Sequence, residues 1–315
     1  MSFRAILRRG FDSRLGRSGL VALVAVNVGA APTWQRHAQL PLPRTEVAAA
    51  RAGNEIVVVG GYVPSGDTSA QADAFSPSAN SWRRLPDLPQ AVNHALAVTW
   101  RGRIVVAGGY VTRQQPSDRV FVLENDRWRE LAHIAEPRAA AGAAMVGDTL
   151  YVVGGIGPNG LARVGLALNL RTGAARTIPG PFPREHLAAT SANGRVYAIA
   201  GRRAGLNTNL RIVESWRPGA KRWTRLARVP GSRGGTGAAT VGGTIVSVGG
   251  EAPTGTIRTV FAYEIAKRRW RRLPDLPTPR HGLGVVAFNG RVYVLAGGPR
   301  PGLTTSGAVE SLRVP

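Results

Sequence analysis

The chain contains no cysteine, so neither a disulfide nor a thiolate metal site is available to it. Aromatic residues are scarce at 6%. They recur at fixed intervals rather than among the arginines, which argues against a stacking surface for single-stranded nucleic acid. Acidic residues are few: 18 Asp and Glu stand against 41 Lys and Arg, for a formal charge of +23. No stretch sustains a 3.6-residue apolar period, which excludes a helical architecture. No apolar run reaches the roughly 20 residues a spanning helix needs, so no permanent membrane anchor is expected. The positive charge favours polyanionic partners and predicts salt-sensitive, non-specific contact with nucleic acid. A solvated arginine-rich surface accounts for it equally well, and no motif of a specific nucleic-acid reader is present.

Residues 1–31 read differently from the remainder. Arg4, Arg8, Arg9, Arg14 and Arg17 form a basic segment, Leu20 to Ala31 an apolar one, and Val28-Gly29-Ala30 supplies small residues for a cleavage site. This order predicts an export signal, with a disordered basic tail as the alternative. Arg8-Arg9 weakly resembles a twin-arginine signature. The expected division is therefore 1–31 as signal or tail, 32–315 as one folded domain, and a secreted or cell-envelope location.

What the chain has in abundance is glycine, 40 residues of it, and much of that glycine repeats. Ile56-Val57-Val58-Val59 runs into Gly60-Gly61. Equivalent apolar runs lead to Gly108-Gly109, Gly154-Gly155, Gly201 followed by Arg202, Gly249-Gly250 and Gly297-Gly298. The spacing stays between 46 and 48 residues. Trp34, Trp82, Trp128, Trp223 and Trp270 keep the same period, with Arg176 in the fourth tryptophan slot. Within each unit come a Pro-containing turn, a strand of small residues, a Gly- or Asn-bearing tight turn, the diglycine strand and a third strand. Asn-Gly and Gly-Gly between apolar runs are hairpin signals because such turns need positive φ. Self-similarity at this period predicts a repeat architecture. Four short strands per unit with short connections predict β-propeller blades.

The phase of the repeat sets its closure. The chain opens on a tryptophan strand and ends after a third strand, so residues 34–40 are expected beside 308–314 in a composite last blade. The fold expected is all-β: a six-bladed propeller of four-stranded antiparallel blades. Arg202 at a glycine slot and Arg176 at a tryptophan slot both predict a poorly packed junction between blades 3 and 4.

The diglycine after an apolar strand, the preceding Tyr151, Tyr197 and Tyr293, and the spaced tryptophan together resemble the kelch repeat family, over residues 34–315. The resemblance implies a propeller. It leaves function open among scaffolds, substrate adaptors, lectin-like binders and a few enzymes. Copper-oxidase relatives use a cysteine that is absent here, and the sialidase box is missing as well.

Ten residues after the tryptophan the repeat carries Arg44, Arg138, Arg233 and Arg280, with Arg184 close by in the fourth unit and Val92-Asn93-His94 in the second. Similar arginines in kelch substrate adaptors grip acidic peptides at the channel mouth. That implies an anion-binding face, extended by the loop residues Arg113, Arg163, Arg203, Arg258 and Arg300. A framework role, capping backbone carbonyls in every blade, is the alternative, and the two are compatible. His94, His186 and His281, with Glu46 and Glu185, fall at the same end. A His/Glu cluster there has the chemistry of a metal site or an acid/base pair. No catalytic residue, metal or cofactor is assigned from sequence. The expected function is an exported, monomeric binding module for a protein or an anionic glycan or small acid. The alternative is a sugar-acid epimerase or mutarotase in the same cleft.

Overall fold

The computed structural model describes residues 32–111 and 115–315. The expected signal or tail, residues 1–31, and Arg113 lie outside the described residues.

Six four-stranded antiparallel sheets surround a central channel. Blade 1 runs Ala48–Ala52, Glu55–Val59, Ala72–Ser76 and Ser81–Leu85 from the channel outwards, and blades 2 to 5 follow the same order. The innermost strands are built from small residues, among them Ala48, Ala97, Ala143, Ala189, Ala238 and Gly284, because six of them converge on one axis. The second strands are the driest part of the fold. Ile56, Val58, Ile104, Leu150, Val152, Val196, Ile199 and Val294 are fully buried. Alternate faces of each such strand pack against the two neighbouring blades. Val105, Val120 and Val122 of blade 2, for example, meet Leu150, Val152, Leu166 and Leu168 of blade 3. At about 1.5–3 kcal/mol per buried aliphatic side chain, these inter-blade layers are the core.

Blade 6 closes the ring as a composite. Gly284–Phe288, Arg291–Leu295 and Val309–Arg313 come from the C-terminal end, and Trp34–Arg36 adds the outermost strand. Trp34 pairs with Leu312, Gln35 with Ser311 and Arg36 with Glu310. The N–H groups of His37 and Leu40 continue the contact by donating to Val309 O and Gly307 O. No helix among the described residues is long and apolar enough to cross a membrane.

The five tryptophans of the repeat are half-buried latches. Each indole donates to a carbonyl of the preceding blade: Trp82 to Ala38, Trp128 to Pro86, Trp223 to Pro179, Trp270 to Ala227 and Trp34 to Pro274, all at 2.8–2.9 Å. Two sequence expectations are corrected here. Trp223 latches blade 4 onto blade 3, so that junction is intact. The latch missing at Arg176 is the one between blades 3 and 2. The second correction concerns register in blades 4 and 6. Ala200 and Ala296 take the first glycine slot, with φ of 56° and 57°, and Gly201 and Gly297 the second, with φ of 98° and 100°. The amide of Gly201 donates to Arg233 O as Gly155 does to Arg184 O. Both slots are crowded in the glycine pairs. A Cβ on first-slot Gly60 or Gly108 would lie 2.4 or 2.2 Å from a facing carbonyl oxygen, and one on second-slot Gly155 or Gly297 2.5 or 2.6 Å. Blades 4 and 6 nonetheless accommodate an alanine methyl in the first slot and keep glycine in the second. Arg202 and Gly298 therefore stand one position beyond the pair, where blades 1 and 2 carry Tyr62 and Tyr110.

Candidate functional site: two tiers at one end of the channel

Where each outer strand crosses to the next inner strand, the chain builds two tiers. The lower tier holds the repeat arginines. Arg44, Arg138, Arg184, Arg233 and Arg280 are all fully buried. Arg280 donates to Ala296 O, Thr278 O and Val294 O and pairs with Glu310 at 2.6 Å. Arg184 does the same with Ala200 O, Phe182 O, Ala198 O and Glu214. Arg138 reaches Gly154 O, Val164 O and Glu136, and Arg44 reaches Gly60 O, Gln71 O and Asp73. Arg233 bonds Thr259 O and Oγ1 without a carboxylate, and burial pulls it down to about 10. These guanidinium groups are aimed into their own blades and present no donor to the channel mouth. Blade 2 substitutes buried Val92.

Two residues on, the upper tier is a collar: Glu46, His94, Ala140, His186, Gly235 and Gly282. All six backbones are left-handed, with φ of 50–66°. Each collar N–H from His94 to Gly282 donates to the preceding collar carbonyl at 2.8–3.1 Å, and Val47 N completes the circle to Gly282 O. Four of the six positions carry side chains where glycine would be less strained, a cost on the order of 1 kcal/mol each.

Three of those side chains meet over the axis. His94 Nε2 lies 3.0 Å from His186 Nε2 and 3.2 Å from Glu46 Oε2. Their ligand-capable atoms all fall within 4.8 Å of one another. They roof a cavity of about 150 Å³ lined below by the small residues of the inner strands. Each has a support behind it. His94 Nδ1 is 2.6 Å from Asn93 Oδ1, and the Asn93 amide nitrogen donates to Thr68 Oγ1 and Tyr110 O, which fixes the amide's orientation. His186 Nδ1 is 2.8 Å from Glu185 Oε2. Glu46 Oε1 is 3.2 Å from His281 Nδ1, whose Nε2 faces Gly302 O and Arg300 O. Arg202 ties Glu185 to Glu251 at 3.0 and 2.7 Å.

The electrostatics follow. Burial drives His94 down to about 4, against the pull of Glu46. Burial alone would raise the Glu46 carboxyl, but His94, His281 and His186 outweigh it and hold it well below the carboxylate range. Burial would lower His281, yet the hydrogen bond and charge of Glu46 and the charge of Glu251 raise it.

Of the sequence candidates, the structure brings together His94, His186, His281, Glu46 and Glu185. Arg163, Arg203, Arg258 and Arg300 are exposed in the loops between second and third strands at this same end. Their guanidinium groups have no carboxylate partner among the described residues. Of the two remaining histidines, His37 is half-buried and bonds Ser311 Oγ, whereas His133 is exposed beside Asp118 and Glu130. Sequence reasoning missed Arg202 and Glu251 as site residues. Counting the repeat from its strands rather than its glycines would have placed both at the position after the pair.

Fold and repeat together define the class: a kelch-repeat β-propeller. The Kelch motif matches residues 43–89, 183–230 and 232–277, the units of blades 1, 4 and 5. Among curated proteins, the chain is similar to the Kelch-like protein terF of Aspergillus terreus, 29% identical over 62% of this chain and 46% of that protein. It is also similar to the human Kelch repeat and BTB domain-containing protein 13, 32% identical over 34% of this chain and 24% of that one. The chain thus spans less than half the length of either relative. Kelch repeats generally serve as protein-interaction modules.

Proposed function

We propose that this propeller is a binding module whose collar face takes an acidic protein segment. The observation that carries this is the set of exposed, carboxylate-free guanidinium groups of Arg163, Arg203, Arg258 and Arg300 on one rim. Arginines elsewhere are mixed. Arg83, Arg101 and Arg119 are paired with Glu55, Asp148 and Glu130, while Arg127, Arg217 and Arg222 are exposed without a carboxylate partner among the described residues. What sets the four apart is their placement in equivalent loops of adjacent blades. Free guanidinium groups suit bidentate carboxylate recognition, and placing them around one opening steers an anionic partner there. The test is fluorescence anisotropy of a Glu-rich peptide and, in parallel, a sulfated oligosaccharide, against the parent and a variant with all four arginines changed to Gln. Peptide affinity that drops in the variant at physiological salt supports the reading. Equal peptide affinity in both proteins overturns it, and selective binding of the glycan makes the partner a polysaccharide.

One observation favours a second reading, a sugar-acid isomerase: Glu46 and His94 sit 3.2 Å apart above the cavity, as a base and its partner would. Proton exchange at the carbon next to the carboxylate of a sugar acid, followed by NMR and lost in His94→Gln, is its test. Export rests on the pattern of residues 1–31, and N-terminal sequencing of the protein recovered from the host envelope checks it.

A further inference from the structure

The collar carries an inference that goes beyond partner binding. Both histidines commit Nδ1 to their own blades. Asn93 presents its carbonyl oxygen to His94, because its amide nitrogen is already donating to Thr68 Oγ1 and Tyr110 O. Glu185 presents a carboxylate oxygen to His186. The hydrogen of each neutral ring therefore sits on Nδ1, and both Nε2 lone pairs turn inwards. They face each other at 3.0 Å, with Glu46 Oε2 3.2 Å from one of them. Three electron-pair donors converge from three different blades with no donor hydrogen of their own between them.

The charge around them points the same way. Three carboxylates, those of Glu46, Glu185 and Glu251, gather around these rings with Arg202 and His281 between them, in a chain with only 18 acidic residues against 41 basic ones. The backbone sets the same three positions apart. Glu46, His94 and His186 hold left-handed φ of 53°, 51° and 50°, where blades 5 and 6 use Gly235 and Gly282.

We propose that Glu46, His94 and His186 form a binding site for a divalent first-row transition cation, of the Zn²⁺ or Fe²⁺ type. Two imidazoles and a carboxylate are the donor set of such ions. Ligands at about 2.0–2.2 Å in tetrahedral array stand roughly 3.3 Å apart. The His94–His186 and His94–Glu46 separations of 3.0 and 3.2 Å are already close to this, and the His186–Glu46 pair, within 4.8 Å, would draw in on binding. Asn93, Glu185 and His281 are the outer partners that orient each ligand. Three protein ligands leave at least one coordination position for water or for a donor atom entering along the channel axis.

The test is calorimetric titration of ZnCl₂ into the untagged chain after chelator treatment, compared with His94→Gly, His186→Gly, His94→Gln and the surface control His133→Gln. The glycine variants adopt the solution the repeat uses in blades 5 and 6, so folding is retained, and circular dichroism verifies it. The expected result is one equivalent of Zn²⁺, with affinity reduced more than 100-fold in each collar variant and unchanged in His133→Gln. Glu185→Gln, which alters only an outer partner, is expected to weaken binding about 10–100-fold. Co²⁺ substitution gives a second readout, a visible ligand-field band that disappears with His94→Gln. Absence of saturable binding, or Zn²⁺ affinity that survives both glycine variants, overturns the proposal.

Discussion

Two tiers lie two residues apart on the same backbone, and they treat the repeat in opposite ways. The lower tier is uniform: five of six blades place a fully buried arginine there, and in each it ties a carbonyl at the end of the second strand to a carbonyl or carboxylate at the third. The upper tier keeps one backbone geometry but varies its side chains as Glu, His, Ala, His, Gly and Gly. A position repeated around a ring is under the same packing demand in every blade, and such positions are structural. A position whose backbone is constant while its side chain changes is released from that demand. Chemistry in this molecule gathers where the repeat departs from itself.

The largest effect that would separate the tiers comes from the lower one. Arg280→Ala removes three carbonyl contacts and leaves Glu310, 1% exposed, as an unpaired buried charge. A stability loss of about 3–5 kcal/mol is expected in urea denaturation. Arg138→Ala, whose partner Glu136 is 42% exposed, is expected to cost clearly less.

The next effect belongs to the collar and is one of pH. In the folded chain His94 lies at about 4, below its ordinary 6.5, facing Glu46, His186, Glu185 and Arg202. A depressed group stabilises fully above its unfolded value, and that contribution is lost as pH falls from 6.5 towards 4. Glu46 and Glu185, both held low, add losses further into acid, while His281, raised, acts in the opposite sense. In chelator-treated protein, His94→Gly is expected to abolish up to about 3 kcal/mol of acid-side loss, measured by urea midpoints across that range.

Much of this was legible in the chain. Diglycine strands, tight turns and phased tryptophans specify blade number and closure, because each answers a local backbone or packing demand. The gathering of His94, His186 and His281 at one end also follows from the period. Two things did not follow. The destination of the arginines depends on which way a long side chain turns, and Arg44 or Arg280 fits a channel-facing or a blade-facing rotamer equally well on the sequence alone. The role of Arg202 was hidden because alanine can occupy the left-handed slot at 200, which shifted the apparent register by one.

Smaller effects sharpen the picture at the rim and at the latches. Changing Arg163, Arg203, Arg258 and Arg300 together to Gln is expected to weaken an acidic peptide roughly tenfold, with a shallower salt dependence and little change in stability. Arg176→Trp restores the sixth latch, between blades 3 and 2, and is expected to raise stability by about 0.5–1 kcal/mol in the same urea assay.

The most direct measurement compares two positions in one blade. Melting temperatures of Arg184→Ala and His186→Gly, each taken with and without Zn²⁺, assign the tiers their separate work. Arg184→Ala is expected to melt well below the parent and still gain stability from Zn²⁺, while His186→Gly melts within a few degrees of the parent and gains none. The reverse pattern, a stable Arg184→Ala and a His186→Gly that either collapses or keeps its Zn²⁺ response, would contradict the division.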